Sequence, residues 1–190
     1  MRPVPFRGFI AVEVPLSEAL DELLRELRTS GAGLKVVSAE NLHTTLKFLG
    51  ETEDGLVPDI MEAIRRGTAD VRTFPARLRG TGAFPSLARM NVAWIRIEGA
   101  EPLGRIAADL EASLERLGFR RESRPWSAHV TVARVKGGRN LDRVRQILRA
   151  HETTVFAEWT VDKLRLKRSV LTPDGPTYTT VAEVPLTPPG

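Results

Sequence analysis

The chain has 190 residues, 42% apolar and 27% charged, enough to bury a real core as one large domain or two small lobes. Its formal charge of +4 and pI near 9.9 favour anionic partners, and the absence of cysteine excludes disulfides, thiolate nucleophiles and zinc-thiolate sites. No run of about 18 apolar residues marks a membrane helix and no basic-then-apolar leader opens the chain, so a cytoplasmic protein with no membrane partner is expected.

In chain order, "FIAVEV" (Phe9–Val14) alternates Ile10, Val12 and Val14 and predicts a strand, ended by Pro15. A helix follows, capped by Ser17, with Leu16, Leu20, Leu23, Leu24 and Leu27 as its stripe and Gly31 as its stop. A short strand near Leu34–Val37 and a longer one over Leu42–Leu49 come next. Leu56, Ile60, Ala63 and Ile64 predict a second helix, Leu56–Arg66. "FPARLRG" and "MNVAWIRIEG" read as strands, the latter with Val92 and Trp94 and the opposing Ala93, Ile95 and Ile97 largely buried on both faces. A third helix is expected from Pro102 to Leu117, stopped by Gly118. Beyond it lie extended "SAHVTVARV", a helix over Leu141–Ala150, and strands at "TVFAEWT", "DKLRLKRSVL" and "TYTTVAEVPL". The end stretches "MRPVP" and "LTPPG" read as disordered.

Several strands follow one another through short turns, so antiparallel pairs mix with crossovers and the class is α+β rather than a doubly wound parallel sheet. A strand-helix-strand-strand cadence occurs twice, each with one histidine motif. The expected architecture is two lobes related by a rough two-fold, made of mixed, mainly antiparallel sheets with outer helices.

The chemistry concentrates in "LHTTLKFLG" and "AHVTVAR", which carry two of the three histidines. In a strand, residues i and i+2 share a face, so His43 stands beside Thr45 and His129 beside Thr131. A stiff β-branched threonine can aim its hydroxyl at a non-bridging phosphate oxygen while the imidazole moves a proton at a bridging or attacking one. With an ordinary pKa near 6.5, one imidazole can be neutral while the other is protonated, as in-line displacement at phosphorus needs, and no metal is required. His151 also has a threonine two residues on, but it ends the Leu141–Ala150 helix, where the dipole favours an imidazolium, and reads as structural. There is no His-Glu-x-x-His or His-x-His for a metal, no Gly-x-Ser-x-Gly elbow and no complete phosphate-binding glycine loop. From Gly118 to Arg139 stand six basic residues and one acid, Glu122, reading either as a solvated loop or as an anion-binding rim. Trp126, within that run, could stack a base.

"ENLHTTLKFLGE" and "SAHVTVARV" resemble the paired His-x-Thr-x signatures of the two-histidine phosphoesterase superfamily. The first looks like that of the RNA 2',3'-cyclic phosphodiesterase (LigT-like, RNA 2'-5' ligase-like) family, and "RGFIAVEVP" and "GAFPS…VAWIRI" extend the similarity over most of the chain. The resemblance implies one two-lobed phosphodiesterase domain over residues 1–190 with a central cleft and one motif per lobe, around residues 43–46 and 129–132. It implies opening of a 2',3'-cyclic phosphate on RNA to a 2'-phosphate without metal or cofactor, and in some members the reverse joining of RNA ends. His43 would be the general acid and His129 the general base, with Thr45 and Thr131 holding the phosphate, although the symmetry of the motifs lets the two labels swap. Arg134 belongs to the signature, yet period 2 turns it away from His129 unless the strand bulges. Lys47 falls on the His43 face and is expected as an electrostatic contact. A monomer is expected. Two alternatives remain open from sequence: action on small cyclic phosphates such as cyclic nucleotides or ADP-ribose cyclic phosphate, and a non-catalytic RNA-binding module.

Overall fold

The structure, a computed structural model, describes residues 5–173 and 175–188. Its elements are β1 (Phe6–Glu13), α1 (Glu18–Thr29), β2 (Leu34–Val36), β3 (His43–Thr52), α2 (Val57–Thr68), β4 (Phe74–Phe84), β5 (Val92–Glu98), α3 (Glu101–Glu115), β6 (His129–Val135), α4 (Leu141–Ala150), β7 (Val155–Val161), β8 (Lys163–Thr172) and β9 (Gly175–Pro185). Local chemistry explains the helices. The Ser17 side chain accepts from the Leu20 amide at 3.1 Å, closing the first turn of α1, and Leu20, Leu23, Leu24 and Leu27 bury its inner stripe. Pro58 and Pro102 occupy the first turns of α2 and α3, where a missing N–H costs nothing.

The strands form two antiparallel sheets, ordered β3-β1-β8-β9 and β2-β6-β5-β4-β7; the one parallel contact among the described residues is an isolated Arg72–Thr187 bridge. Neither sheet is a contiguous stretch of chain: β2 and β7 lie in the five-stranded sheet, whereas β8 and β9 return to β1. Helices α2 and α3 cover the four-stranded sheet through β9 and β3, and α1 and α4 cover the five-stranded one through β2, β7 and β4. Each sheet is thus covered by helices on one face, as antiparallel sheets allow.

That one-sided cover corrects the reading of β5 as buried on both faces. Ala93, Ile95 and Ile97 are buried, but Val92, Trp94 and Glu98 are half-buried and Arg96 is exposed, because no helix lies over that side. A second correction concerns the C-terminal stretch read as disordered. Leu186 is buried and its amide donates to the Asp162 carbonyl at 2.7 Å, and the Thr73 amide donates to the Thr187 carbonyl at 2.9 Å. Residues 1–4, 189 and 190 of the two end stretches lie outside the described residues.

Candidate active site

The two histidine strands, β3 from one sheet and β6 from the other, lie against each other. On β3, His43 and Thr45 are half-buried and Thr44 and Leu46 buried; on β6, His129 and Thr131 are half-buried and Val130 and Val132 buried. Each strand therefore turns an imidazole and a hydroxyl to its open face, as period 2 predicts.

The alternation breaks at the same motif position on both strands. In β1–β3, Ile10 pairs with Lys47 and Ala11 with Thr45, leaving Leu46 as an extra residue; in β5–β6, Ala93 pairs with Ala133 and Trp94 with Thr131, leaving Val132 extra. A bulge reverses the parity of everything after it. Phe48 and Arg134, five residues beyond their histidines, thereby join the His face, and Phe48 is 58% exposed for that reason.

Lys47 moves the other way. It is 1% exposed, and its Nζ donates to Glu111 Oε2 at 2.7 Å and to the Arg120 carbonyl at 2.6 Å, on the helix side of the sheet. The expectation that Lys47 contacts substrate from the His43 face is corrected: the bulge at Leu46 points it into the interior, where it anchors the segment after α3. Glu111 Oε2 also accepts the Glu122 amide at 3.1 Å. Further along the segment, the Trp126 indole N–H donates to the Thr45 carbonyl at 2.8 Å, and Gly104 of α3 faces its ring. Trp126 thus ties the approach to His129 onto the first motif. The start of the basic run is held to β3 at two points.

Both imidazoles are oriented alike. His43 Nδ1 donates to the Asn41 carbonyl at 2.6 Å and His129 Nδ1 to the Ser127 carbonyl at 2.8 Å, each two residues upstream. A carbonyl only accepts, so the proton of the neutral ring sits on Nδ1 and Nε2 is left with a lone pair for chemistry. An aromatic ring braces each imidazole at nearly a right angle: Tyr178 on His43 at 5.3 Å and 89°, Phe84 on His129 at 5.1 Å and 88°. Phe9 completes the packing around His43 at 5.0 Å.

The charge of Arg134 reaches both imidazoles. Burial pushes the His43 imidazole below its ordinary value; the bond to Asn41 opposes this, Lys167 reinforces it, Glu13 opposes it and Arg134 reinforces it. Burial likewise lowers His129, against its Ser127 bond and with Arg134. The Arg134 charge thus acts on imidazoles of both sheets. Behind His43, Glu13 bonds Lys167 and pairs with Arg165 at 2.6 Å, and Lys167 donates to Thr180 at 3.1 Å, so the local charges are mutually satisfied. His151 stands apart: it caps α4, with Nδ1 3.2 Å from Thr154 Oγ1 and Nε2 3.3 Å from Glu26 Oε1. Among the described residues, no three His, Asp or Glu side chains gather to hold a metal ion, and no helix is long and apolar enough to cross a membrane.

The family model described as 2'-5' RNA ligase superfamily matches residues 14–171, which include both motifs. The chain belongs to the 2'-5' RNA ligase superfamily. Superfamily relatives named RNA 2',3'-cyclic phosphodiesterase include one from Archaeoglobus fulgidus, 38% identical over 90% of this chain and 96% of its own length. Another, from Methanothermobacter thermautotrophicus, is 34% identical over 91% of this chain and 95% of its own. Among solved structures, a Thermus thermophilus protein superposes with a TM-score of 0.74 at 33% identity, covering 95% of this chain and 97% of that one. Escherichia coli LigT in apo form shares the fold, with a TM-score of 0.70 at 22% identity, over 97% and 99% of the two chains.

Two residues beside the histidines of this superfamily member escaped the sequence reading, Phe48 and Tyr178. For Phe48 a signal existed: "HTTLKF" and "HVTVAR" align position for position, so whatever brings Arg134 to its histidine also brings Phe48. Tyr178 comes from the far end of the chain, with no local signal.

Proposed function

We propose that this protein is an RNA 2',3'-cyclic phosphodiesterase, one two-lobed domain over residues 1–190, that opens the cyclic phosphate at an RNA end to a 2'-phosphate by paired imidazole acid–base catalysis without a metal. The names of its relatives support the activity. The observation that carries the mechanism is the matched posture of His43 and His129, each held through Nδ1 with a hydroxyl beside it, under the shared charge of Arg134.

In this reading the phosphate lies between the two Nε2 atoms. Neutral His129 takes a proton from water as its oxygen attacks phosphorus, and protonated His43 gives a proton to the departing 3' oxygen. The turnover ends with the protons exchanged, His129 charged and His43 neutral, and solvent restores the starting state. Thr45 and Thr131 donate to the non-bridging oxygens, and Arg134 opposes the charge that builds on them. The exposed Phe48 ring offers a stacking surface to the terminal base. Acid and base follow the family resemblance, since the two imidazoles are otherwise posed alike. We further read the protein as a cytoplasmic monomer able to run the step backwards as 2'-5' joining.

The test is incubation of the protein with an oligoribonucleotide ending in a 2',3'-cyclic phosphate, EDTA present, followed by identification of the terminal phosphate. A 2'-phosphate is expected. Loss of turnover on chelation, restored by a divalent ion, would replace this mechanism with metal catalysis.

A further inference from the structure

His43 and His129 are braced by matched ring contacts, yet the two braces differ by one atom. His129 has the phenyl ring of Phe84, whereas His43 has the phenol of Tyr178, the only tyrosine of the chain. If the ring served packing alone, a phenylalanine would do on both sides. Tyr178 is also on β9, beyond the residues 14–171 that the family model matches.

How Tyr178 reaches His43 is visible in the fold. The β8–β9 hairpin brings its tip onto the segment that precedes His43: Asn41 Nδ2 donates to the Pro176 carbonyl at 3.1 Å, and the Lys35 amine lies against Gly175. Asn41 is the same residue whose carbonyl receives His43 Nδ1. One asparagine therefore fixes both the imidazole and the start of the strand that carries the phenol. Phe9 packs against the Tyr178 ring at 4.9 Å and 71°, completing a three-ring cluster with His43.

The hydroxyl is uncommitted among the described residues. Among the described residues it has no hydrogen-bond partner, and it is acted on by Arg134 of the opposite sheet, the charge that both imidazoles feel. Half-burial raises the phenol above its ordinary value, so it stays a donor throughout the working range of the imidazoles. A protonated phenol beside the His43 imidazole and within the field of Arg134 can donate to an oxyanion.

Resting on the phosphodiesterase reading above, we propose that the Tyr178 hydroxyl is a third substrate donor, binding a non-bridging oxygen of the phosphate on the His43 side, and that the C-terminal hairpin thereby completes the site. The matched braces would then make the site unequal: His43 acts beside a donor that His129 lacks.

The test is Tyr178→Phe, which keeps the ring against His43 and Phe9 and removes only the hydroxyl. Turnover of a 2',3'-cyclic phosphate oligoribonucleotide and inhibition by inorganic phosphate are measured together, with the His43 ring signals followed by NMR as a check on its posture. The expected result is a loss of at least tenfold in kcat/KM, a matching weakening of phosphate inhibition, and unchanged His43 signals in the free protein. Phosphate added to wild type carrying tyrosine labelled at Cζ should also move its single tyrosine resonance. Wild-type kinetics in Y178F, or slowed turnover with undiminished phosphate affinity, would overturn the proposal. If wild type fails to turn over the cyclic end, the phosphodiesterase reading fails instead, and the tyrosine resonance under phosphate still decides the hydroxyl's role.

Discussion

Arg134 and His43 come from different sheets, yet the guanidinium of one holds down the pKa of the other. It does the same to His129 on its own strand, and burial acts in the same direction on both rings. The rate should rise with pH as the base loses its proton and fall as the acid loses its own. Both imidazoles are lowered from the ordinary 6.5, so the optimum of kcat/KM is expected on the acid side of that value. Arg134→Gln removes a positive charge that disfavours imidazolium, and both limbs should move to higher pH while kcat/KM falls. A profile whose limbs stay fixed in Arg134→Gln would refute the shared electrostatics.

His43→Ala and His129→Ala should each slow turnover by about 10²–10⁴, the usual contribution of a positioned acid or base. His151→Ala removes a contact to Glu26 and Thr154 at the end of α4 and should leave the rate within a few-fold. Equal loss in all three variants, measured as 2'-phosphate release, would remove the catalytic assignment.

Lys47 and Glu111 form an ion pair whose amine is fully buried. Glu111→Gln leaves that amine without its counter-charge, which costs about 3–5 kcal/mol when a buried pair is broken from one side. Replacing both, as Lys47→Met with Glu111→Leu, should recover much of the stability. Urea denaturation checks this. A stable Glu111→Gln with lost activity would return Lys47 to the catalytic machinery.

Arg120, Arg121 and Arg124 are exposed on the segment that runs from the Lys47 anchor to Trp126, just before His129. If this segment follows an RNA backbone, affinity for an oligoribonucleotide should fall steeply with salt, and Arg124→Gln should reduce the logarithmic slope by about one. A cyclic mononucleotide, with a single phosphate, should show a shallow slope in both proteins. A steep slope unchanged by charge removal across all three arginines would exclude this segment as the track.

Local periodicity was sufficient for much of this protein. The stripe Leu20, Leu23, Leu24 and Leu27, the Ser17 cap and the Leu141–Ala150 helix were legible because helix chemistry is settled within a few residues. His43 with Thr45 and His129 with Thr131 were legible for the same reason, since two residues suffice to choose a face of a strand. What tertiary structure alone decided begins one residue later. The bulges at Leu46 and Val132 arise from how β3 fits β1 and β6 fits β5, and they exchange the fates of Lys47, sent inside, and of Arg134, turned to the histidines. Tyr178 reaches His43 only because the β8–β9 hairpin rests on Asn41, a contact 135 residues away along the chain. A strand's period is a property of its own backbone, whereas its bulges and the reach of a distant hairpin depend on partners that no local stretch of sequence contains.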